Sequence, residues 1–362
     1  MSGRPILVMA GGTGGHVYPA LAVAQALEAR SQNVVWLGTH RGLESSVVPA
    51  AGIDIEWVTV RGLRRKGPLA LLIAPGSLIW ALLQSLGIIL RRRPVAVLGM
   101  GGFVSGPGGL AAWLTRRPLV IHEQNAAAGL TNRLLARLAR VVLQAFPGSF
   151  NSRVVVETVG NPVREDISAV AEPADRYNNR QGALRLLVLG GSQGALALNQ
   201  TVPAALARLP AHERPVVRHQ CGSRTLDVAR DAYAKHGIDV ELMAFIDDMA
   251  AAYAWADLVV CRAGALTVAE LCAVGLPALF VPFPSAVDDH QTANARPMQE
   301  VGAAAIISER DLSAELLANV LHEWLSSRQS LLARAAKARE LAKPQALARI
   351  TELCLEQAGV TA

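Results

Sequence analysis

The stretch Ile6-Leu7-Val8-Met9-Ala10-Gly11-Gly12-Thr13-Gly14-Gly15-His16 opens the chain with four apolar residues that run into a Gly-rich turn. From Pro19 to Glu28 apolar residues recur at helical spacing (Leu21, Val23, Ala24, Leu27), so the segment reads as strand, turn and helix. Further strand-like apolar segments follow at Val34–Leu37, Ile55–Val58, Val95–Leu98, Leu119–Ile121, Val141–Leu143 and Val154–Val156, most of them separated by helical stretches. Short uncharged strands alternating with helices predict a parallel sheet covered on both faces. A polar stretch between Val170 and Ala183 reads as a loop, after which the pattern restarts. Leu184–Leu189 runs into Gly190-Gly191-Ser192-Gln193-Gly194-Ala195 and a helix from about Leu196, with further strands at Val216–His219, Val240–Met243, Leu258–Val260 and Ala278–Val281. Helices at Leu312–Trp324, Ser330–Ala342 and Gln345–Glu356 close the chain. The expectation is an α/β protein of two Rossmann-like domains, 1–160 and 161–342, with the boundary near Gly160-Asn161-Pro162.

Length agrees, since 362 residues is enough for two domains with real cores. A hydrophobic fraction of 51% without an extended polar tract excludes disorder as the main state. The four cysteines (Cys221, Cys261, Cys272, Cys354) lack close ligand spacing, which argues against a disulfide scaffold or zinc module and fits a reducing compartment. Met1 is followed at once by a strand and Gly turn that belong to a fold, which is not the pattern of an export signal. Charge divides unevenly: residues 1–160 hold 16 Lys and Arg against 6 Asp and Glu, and the remainder holds 19 against 23. A basic half faces something anionic: a phosphorylated substrate, nucleic acid or a lipid surface. Nucleic acid would favour stacking aromatics beside the Arg runs, and four Tyr and six Phe in the whole chain provide no such interleaving. Leu69–Leu90 carries no charge over 22 residues and is flanked by Arg64-Arg65-Lys66 and Arg91-Arg92-Arg93. It reads as a covering helix, as one whose outer side also touches membrane, or as a spanning segment, with Pro75-Gly76-Ser77 splitting it and arguing against the last.

Three Gly-rich loops stand at strand ends: Gly11–His16, Gly99–Gly109 and Gly190–Ala195. Free backbone N–H groups at such a turn, joined to a helix N-terminus, make an anion site. None is a Walker A loop, and the first is a poor dinucleotide fingerprint, with no acidic residue standing out around Leu37-Gly38-Thr39 at the end of the second strand. A site between two α/β domains, phosphate-binding on one side, is the geometric expectation. His16 sits at a helix start, where it would stay neutral and able to accept a proton, or else simply cap the turn. His122-Glu123-Gln124-Asn125 follows a strand and places Glu123 and Asn125 at one sheet edge, suited to hydroxyl recognition. Glu270, in a loop-to-helix segment from Arg262, could accept the two vicinal hydroxyls of a ribose or be a solvated first-turn carboxylate. Asp288-Asp289-His290-Gln291 resembles a metal cluster, but adjacent residues at a helix start do not converge on one ion, and Asp-x-Asp is absent from the chain; N-capping is the favoured reading, with no metal site.

In order along the chain, Gly11-Gly12-Thr13-Gly14-Gly15-His16, Gly101-Gly102-Phe103-Val104-Ser105-Gly106-Pro107, His122-Glu123-Gln124-Asn125, Gly160-Asn161-Pro162-Val163-Arg164, Gly190-Gly191-Ser192-Gln193-Gly194-Ala195, Arg262-Ala263-Gly264-Ala265 through Glu270, Asp289-His290-Gln291 and Asn294-Ala295 resemble the MurG family, bacterial undecaprenyldiphospho-muramoylpentapeptide β-N-acetylglucosaminyltransferases. The resemblance runs from about Pro5 to the last helices. It implies a GT-B glycosyltransferase whose last helix, about 343–362, crosses back to the N-terminal domain. It also implies an inverting, cofactor-independent transfer of N-acetylglucosamine (GlcNAc) from UDP-GlcNAc to the C4 hydroxyl of N-acetylmuramoyl-pentapeptide on undecaprenyl diphosphate (lipid I), giving lipid II for peptidoglycan synthesis. The location implied is peripheral, on the cytoplasmic face of the inner membrane, with other cell-wall synthesis proteins as candidate partners and nucleic acid excluded.

By position the resemblance implies that Thr13, Gly14 and Gly15 line the substrate cleft and that Asn125 and Gln291 hold sugar hydroxyls. Arg164 and Ser192 would lie near the nucleotide and its phosphates, and Ile246 would meet the uracil through its backbone. Ala265, Leu266, Thr267, Val268, Ala269 and Glu270 would cover the nucleotide, with Glu270 on the ribose and Arg262 a candidate to close over it. His16 is the expected base and Glu123 its rival. Leu72, Ile79, Trp80, Leu83 and Trp113 form the expected membrane patch. Two other readings stand beside this one: a different GT-B enzyme acting on UDP-GlcNAc (an epimerase or a small-acceptor transferase), and a nucleotide-sugar or nucleic-acid binding module without catalysis.

Overall fold

Apolar runs with almost no charge are buried on both faces, and in the computed structural model they pair in parallel throughout. The structure describes residues 3–60, 68–191, 194–284 and 289–360, the side chains of 68–74 excepted. Two compact units emerge, one of residues 1–163 with 345–362 and the other of 164–344.

The first unit has strands β1 (Ile6–Met9), β2 (Val34–Gly38), β3 (Asp54–Trp57), β4 (Ala96–Gly99), β5 (Leu119–Glu123), β6 (Val141–Gln144) and β7 (Glu157–Thr158) in the order β3-β2-β1-β4-β5-β6-β7. Its helices are α1 (Gly14–Ala29), α2 (Glu44–Ala50), α3 (Pro68–Arg92), α4 (Ser105–Leu114) and α5 (Leu130–Leu135). Alternation along the strands feeds two cores. Ile6 and Val8 pack with Val17, Val23 and Leu27 of α1, while Leu7 and Met9 turn to the other face, with Ile89 of α3 and Ala111 of α4.

The second unit repeats the plan with β8 (Arg185–Leu189), β9 (Val216–Gln220), β10 (Glu241–Met243), β11 (Leu258–Cys261), β12 (Ala278–Phe280) and β13 (Ala304–Ile306), ordered β10-β9-β8-β11-β12-β13. Around it lie α6 (Glu165–Ser168), α7 (Pro173–Asn178), α8 (Leu196–Arg208), α9 (Leu226–His236), α10 (Met249–Trp255), α11 (Ala265–Val274), α12 (His290–Glu300), α13 (Ala314–Leu325) and α14 (Arg328–Glu340). The last helix, α15 (Ala346–Ala358), packs on the first unit. Ile350, Leu353, Cys354 and Leu355 enter the core beneath α1, and Arg349 pairs with Glu157 at 2.7 Å. In each unit strand order reverses beside the first strand, so the loops after β1 and β4, and after β8 and β11, meet at a topological switch point.

Three expectations need correction. Val154–Val156 forms no strand: Val155 is exposed, and pairing along β6 begins only at Leu143 with Glu157, where the Gln144 amide also donates to Thr158 Oγ1 at 2.8 Å. The polar stretch between Val170 and Ala183 is not all loop, because α7 forms over Pro173–Asn178 within it, with the proline at its first turn. Pro75-Gly76-Ser77 does not split its segment, because α3 runs unbroken from Pro68 to Arg92. A proline within a helix removes the single backbone bond its own N–H would have made. Among the described residues no helix is long and apolar enough to cross a membrane.

Candidate active site

The turn after β1 uses Gly12 at φ +96° to swing the chain into α1, whose N-cap is Thr13. Beneath the turn lies Glu44, a wholly buried carboxylate at the start of α2. It accepts the Gly12 N–H at 2.9 Å, the Thr39 N–H at 3.0 Å and the Thr39 hydroxyl at 2.7 Å. Sequence reasoning missed it. An acid was sought at the end of β2 itself, whereas the carboxylate that serves this region comes six residues later and reaches back. Its effect is to brace the loop and to occupy a donor that a bound anion would otherwise use.

The loop after β4 packs against the first. Gly101 and Gly102 have φ of +96° and +82°, and a Cβ on Gly102 would stand 2.3 Å from the Gly11 carbonyl oxygen. Ser105 at the start of α4 donates to the Gly101 carbonyl at 2.7 Å. His16, half-buried in the first turn of α1, directs Nδ1 to Gln124 Oε1 at 2.9 Å. The neighbouring Glu123 is buried, and its carboxylate is fully engaged. Oε1 accepts the N–H and side-chain amide of Asn125 at 3.0 and 3.1 Å, and Oε2 accepts the Gly129 N–H and the Asn132 amide at 3.1 and 2.9 Å. These four donors shape the loop that carries Asn125. Thr13 and Gly15 are exposed beside it and Gly14 is half-buried. His16, Asn125 and the first Gly loop are therefore gathered at one end of this sheet.

In the second unit, Arg164 caps α6, Tyr253 lies on α10 and Glu270 on α11, and these helices pack together. The Tyr253 hydroxyl donates to Glu270 Oε2 at 2.8 Å. Burial pushes the Glu270 carboxyl up to about 7; the Tyr253 hydrogen bond and the Arg164 charge act against this, and Asp166 adds to it. The Ala265–Ala269 backbone forms the first turn and a half of α11, after Gly264 as N-cap. Ile246 is buried in the loop after β10. Gln291 accepts the Phe283 N–H through Oε1 at 2.9 Å.

Arg262 has several partners within this unit. It donates to the Val281 and Pro282 carbonyls at 2.9 and 3.2 Å, pairs with Glu309 and lies over the Phe283 ring. It ties the end of β11 to the loop after β12. Asp289 accepts from the Thr292 hydroxyl at 2.7 Å, and among the described residues no group of three His, Cys, Asp or Glu could hold a metal ion. Ser192, Asp288 and the side chain of Leu72 lie outside the described residues.

On the first unit, α3 and α4 pack together and leave Ile79, Trp80, Leu83 and Trp113 exposed, with Leu90 and Leu114 alongside. Of the basic triplet at the end of α3, Arg91 and Arg92 each pair with Glu56 at 2.6 Å, and Arg92 also reaches Asp54 at 3.7 Å.

Two Rossmann-like units of parallel sheet, with Gly loops at strand ends, are the architecture of a GT-B glycosyltransferase. Models of the glycosyltransferase family 28 N-terminal and C-terminal domains match residues 6–144 and 185–350. The UDP-N-acetylglucosamine–N-acetylmuramyl-(pentapeptide) pyrophosphoryl-undecaprenol N-acetylglucosamine transferase of Alkalilimnicola ehrlichii is 60% identical over 354 residues, which cover 98% of this chain and 99% of its own. Its namesake in Nitrosococcus oceani is 56% identical over the same shares. The crystal structure of Acinetobacter baumannii MurG superposes with a TM-score of 0.85 at 39% identity, over 98% of this chain and all of that one. A calicheamicin glycosyltransferase, at 17% identity and TM-score 0.70, shares the fold. The chain belongs to glycosyltransferase family 28 and, within it, to the MurG family.

Proposed function

We propose that this chain transfers GlcNAc from UDP-GlcNAc to the C4 hydroxyl of the N-acetylmuramoyl-pentapeptide of lipid I, giving lipid II. The observation that carries the reading is placement: the family's motifs stand at the carboxyl ends of parallel strands in both units, with His16 at one switch point and Glu270 on α11 after β11. In the reaction the acceptor O4 attacks C1 of GlcNAc as the C1–O bond to the β-phosphate breaks with inversion. UDP departs with the bonding electron pair, and the O4 proton passes to His16.

Glu123 is assigned to loop architecture rather than to proton transfer, because four N–H donors already occupy its oxygens. Asn125 and Gln291 are assigned to sugar hydroxyls, and Thr13, Gly14 and Gly15 to the acceptor side. Gly194 and Ala195 at the head of α8, with Arg164 and the Ser192 of the family's motif, are assigned to the leaving diphosphate, where N–H donors and a cation offset the charge that grows as UDP departs. Ile246 and the Ala265–Glu270 segment receive the nucleoside, with Glu270 on the ribose hydroxyls. Arg262 fixes the end of β11, just before that segment, to the loop after β12.

Ile79, Trp80, Leu83 and Trp113 are proposed to rest on the anionic cytoplasmic face of the inner membrane, where the lipid tail of the acceptor lies. Arg93 just after α3 and Arg116 just after α4 are exposed and suit a negatively charged surface.

The test is an assay with UDP-GlcNAc and lipid I in detergent with a chelator present. Lipid II formation is expected. His16→Ala is expected to abolish most turnover while UDP still binds, and near-normal turnover would remove His16 as base.

A further inference from the structure

His16 is backed by two buried side chains, those of Gln124 and His122. Three hydrogen bonds run inward from it: His16 Nδ1 to Gln124 Oε1 at 2.9 Å, Gln124 Nε2 to His122 Nδ1 at 3.1 Å, and His122 Nε2 to the Gly160 carbonyl at 2.9 Å. We infer that His122 and Gln124 are positioning residues, wired so that the Gly160 carbonyl dictates the tautomer of His16 and leaves its Nε2 with the lone pair. The inference rests on the reading of His16 as base and adds how that base is set.

Each link admits one direction. A backbone carbonyl only accepts, so His122 Nε2 must carry a proton. His122 is fully buried, and that burial holds it down to about 4, so the ring is neutral and keeps a single proton. Its Nδ1 is therefore an acceptor and takes an N–H of the Gln124 amide. A second contact orients that amide independently: Nε2 also donates to the His122 carbonyl at 3.3 Å, with Met100 Sδ at 3.9 Å. Rotating the amide by half a turn would set its oxygen against two acceptors. Gln124 Oε1 consequently faces His16 and can only accept, so neutral His16 holds its proton on Nδ1.

Free imidazole side chains in water favour the opposite tautomer, with the proton on Nε2. The chain thus imposes a form that solvent would not, on the nitrogen that must be empty for chemistry. Nearby backbone keeps the ring in place: a Cβ on Gly101 would come within 2.7 Å of His16 Nδ1. The Asn161 amide donates to the Gln124 carbonyl at 3.0 Å and anchors the strand end that carries the relay.

The experiment is long-range proton–nitrogen NMR on full-length protein labelled with 15N-histidine, with His16 assigned from a His16→Gln sample. In the wild type, His16 is expected to show a protonated Nδ1 and a bare Nε2, and His122 the reverse. Gln124→Leu is expected to move His16 toward the Nε2–H form and to lower kcat by roughly ten- to a hundredfold, with KM for UDP-GlcNAc within about twofold. Gln124→Glu, whose protonated carboxyl can give and take the same two bonds, is expected to recover most of that loss.

A wild-type His16 protonated on Nε2, or a Gln124→Leu protein with an unchanged tautomer, would overturn the inference. Neither result touches the base assignment, which stands or falls on the turnover of His16→Gln. Conversely, normal turnover in His16→Gln with the expected tautomers would remove the base and leave the wiring in place without its catalytic purpose, which also overturns the positioning role.

Discussion

Tyr253 on α10 and Glu270 on α11 are joined by a 2.8 Å hydrogen bond from the phenol to the carboxylate, at a position where burial lifts the carboxyl to about 7. Ribose hydroxyls donate, so a nucleotide bound as proposed, with its ribose on Glu270, selects the ionised form. Below pH 7 that form is depleted and binding must first expel a proton. UDP-GlcNAc, titrated by calorimetry, is expected to bind about tenfold more weakly at pH 6 than at pH 8. Tyr253→Phe removes a donor that favours the charged form, so the weakening should begin at a higher pH. An affinity independent of pH between 6 and 8 would detach Glu270 from the ribose.

Gly101 has room for a hydrogen only. Alanine there would combine a left-handed backbone at φ +96° with a Cβ 2.7 Å from His16 Nδ1. Displacing the ring by about an ångström is enough to cost on the order of a hundredfold in rate. Gly101→Ala is expected to lose turnover on that scale while retaining UDP affinity, because the residues proposed to hold the nucleotide belong to the other unit.

Glu44 bears on stability before it bears on rate. Its carboxylate takes three donors from Gly12 and Thr39 with no access to water. Glu44→Ala strands those donors and should cost about 3 kcal/mol in urea unfolding. Turnover measured well below the melting temperature should also fall, since the first Gly loop loses its brace.

Asp257 performs a comparable task in the second unit. It is fully buried, pairs with Arg180 and Arg328, and accepts the Arg185 N–H at 3.0 Å. Removing one partner of a buried pair leaves its cations uncompensated, so Asp257→Ala should lower stability by about 3–5 kcal/mol. A loss under 1 kcal/mol would mean that water reaches the cluster.

The apolar face of α3 offers a prediction independent of chemistry. Replacing Ile79 and Trp80, both more than half exposed, by serine removes apolar area from any lipid contact and leaves the core untouched. Partitioning onto vesicles containing anionic phospholipid is expected to fall at least about tenfold, with UDP binding preserved. Unchanged partitioning would mean that another surface docks. Because Arg91 and Arg92 are tied to Glu56, their replacement should weaken vesicle binding less than that of Arg93.

Much of the fold was legible locally. A mostly apolar strand, a glycine turn and a helical repeat are each written in neighbouring residues, so β1, β2, β4, β8 and β11 are legible to within a residue or two. The motif loops were placed at strand ends for the same reason. Elements whose sequence carries no period of its own were missed or displaced: β13, in small residues, and β7, which forms wherever the edge of β6 offers a partner. The run through Pro75 was misjudged because the loss of one backbone bond does not end a long apolar helix.

The residue types at the candidate site came from the sequence alone, including His16, Asn125 and Glu270. Their working partners did not. Gln124 lies 108 residues from His16 and Glu44 lies 32 from Gly12, and nothing local relates them. They meet because β1 stands between β2 and β4, with β5 beside β4, which brings distant loops to one end of the sheet. Arg262, a candidate to close over the ribose, is held by the Val281 and Pro282 carbonyls, which only the pairing of β11 with β12 delivers. Composition and periodicity determine which segments become strands and helices, because those depend on near neighbours. Which donor faces which acceptor depends on strand order, and that is decided when the whole sheet forms.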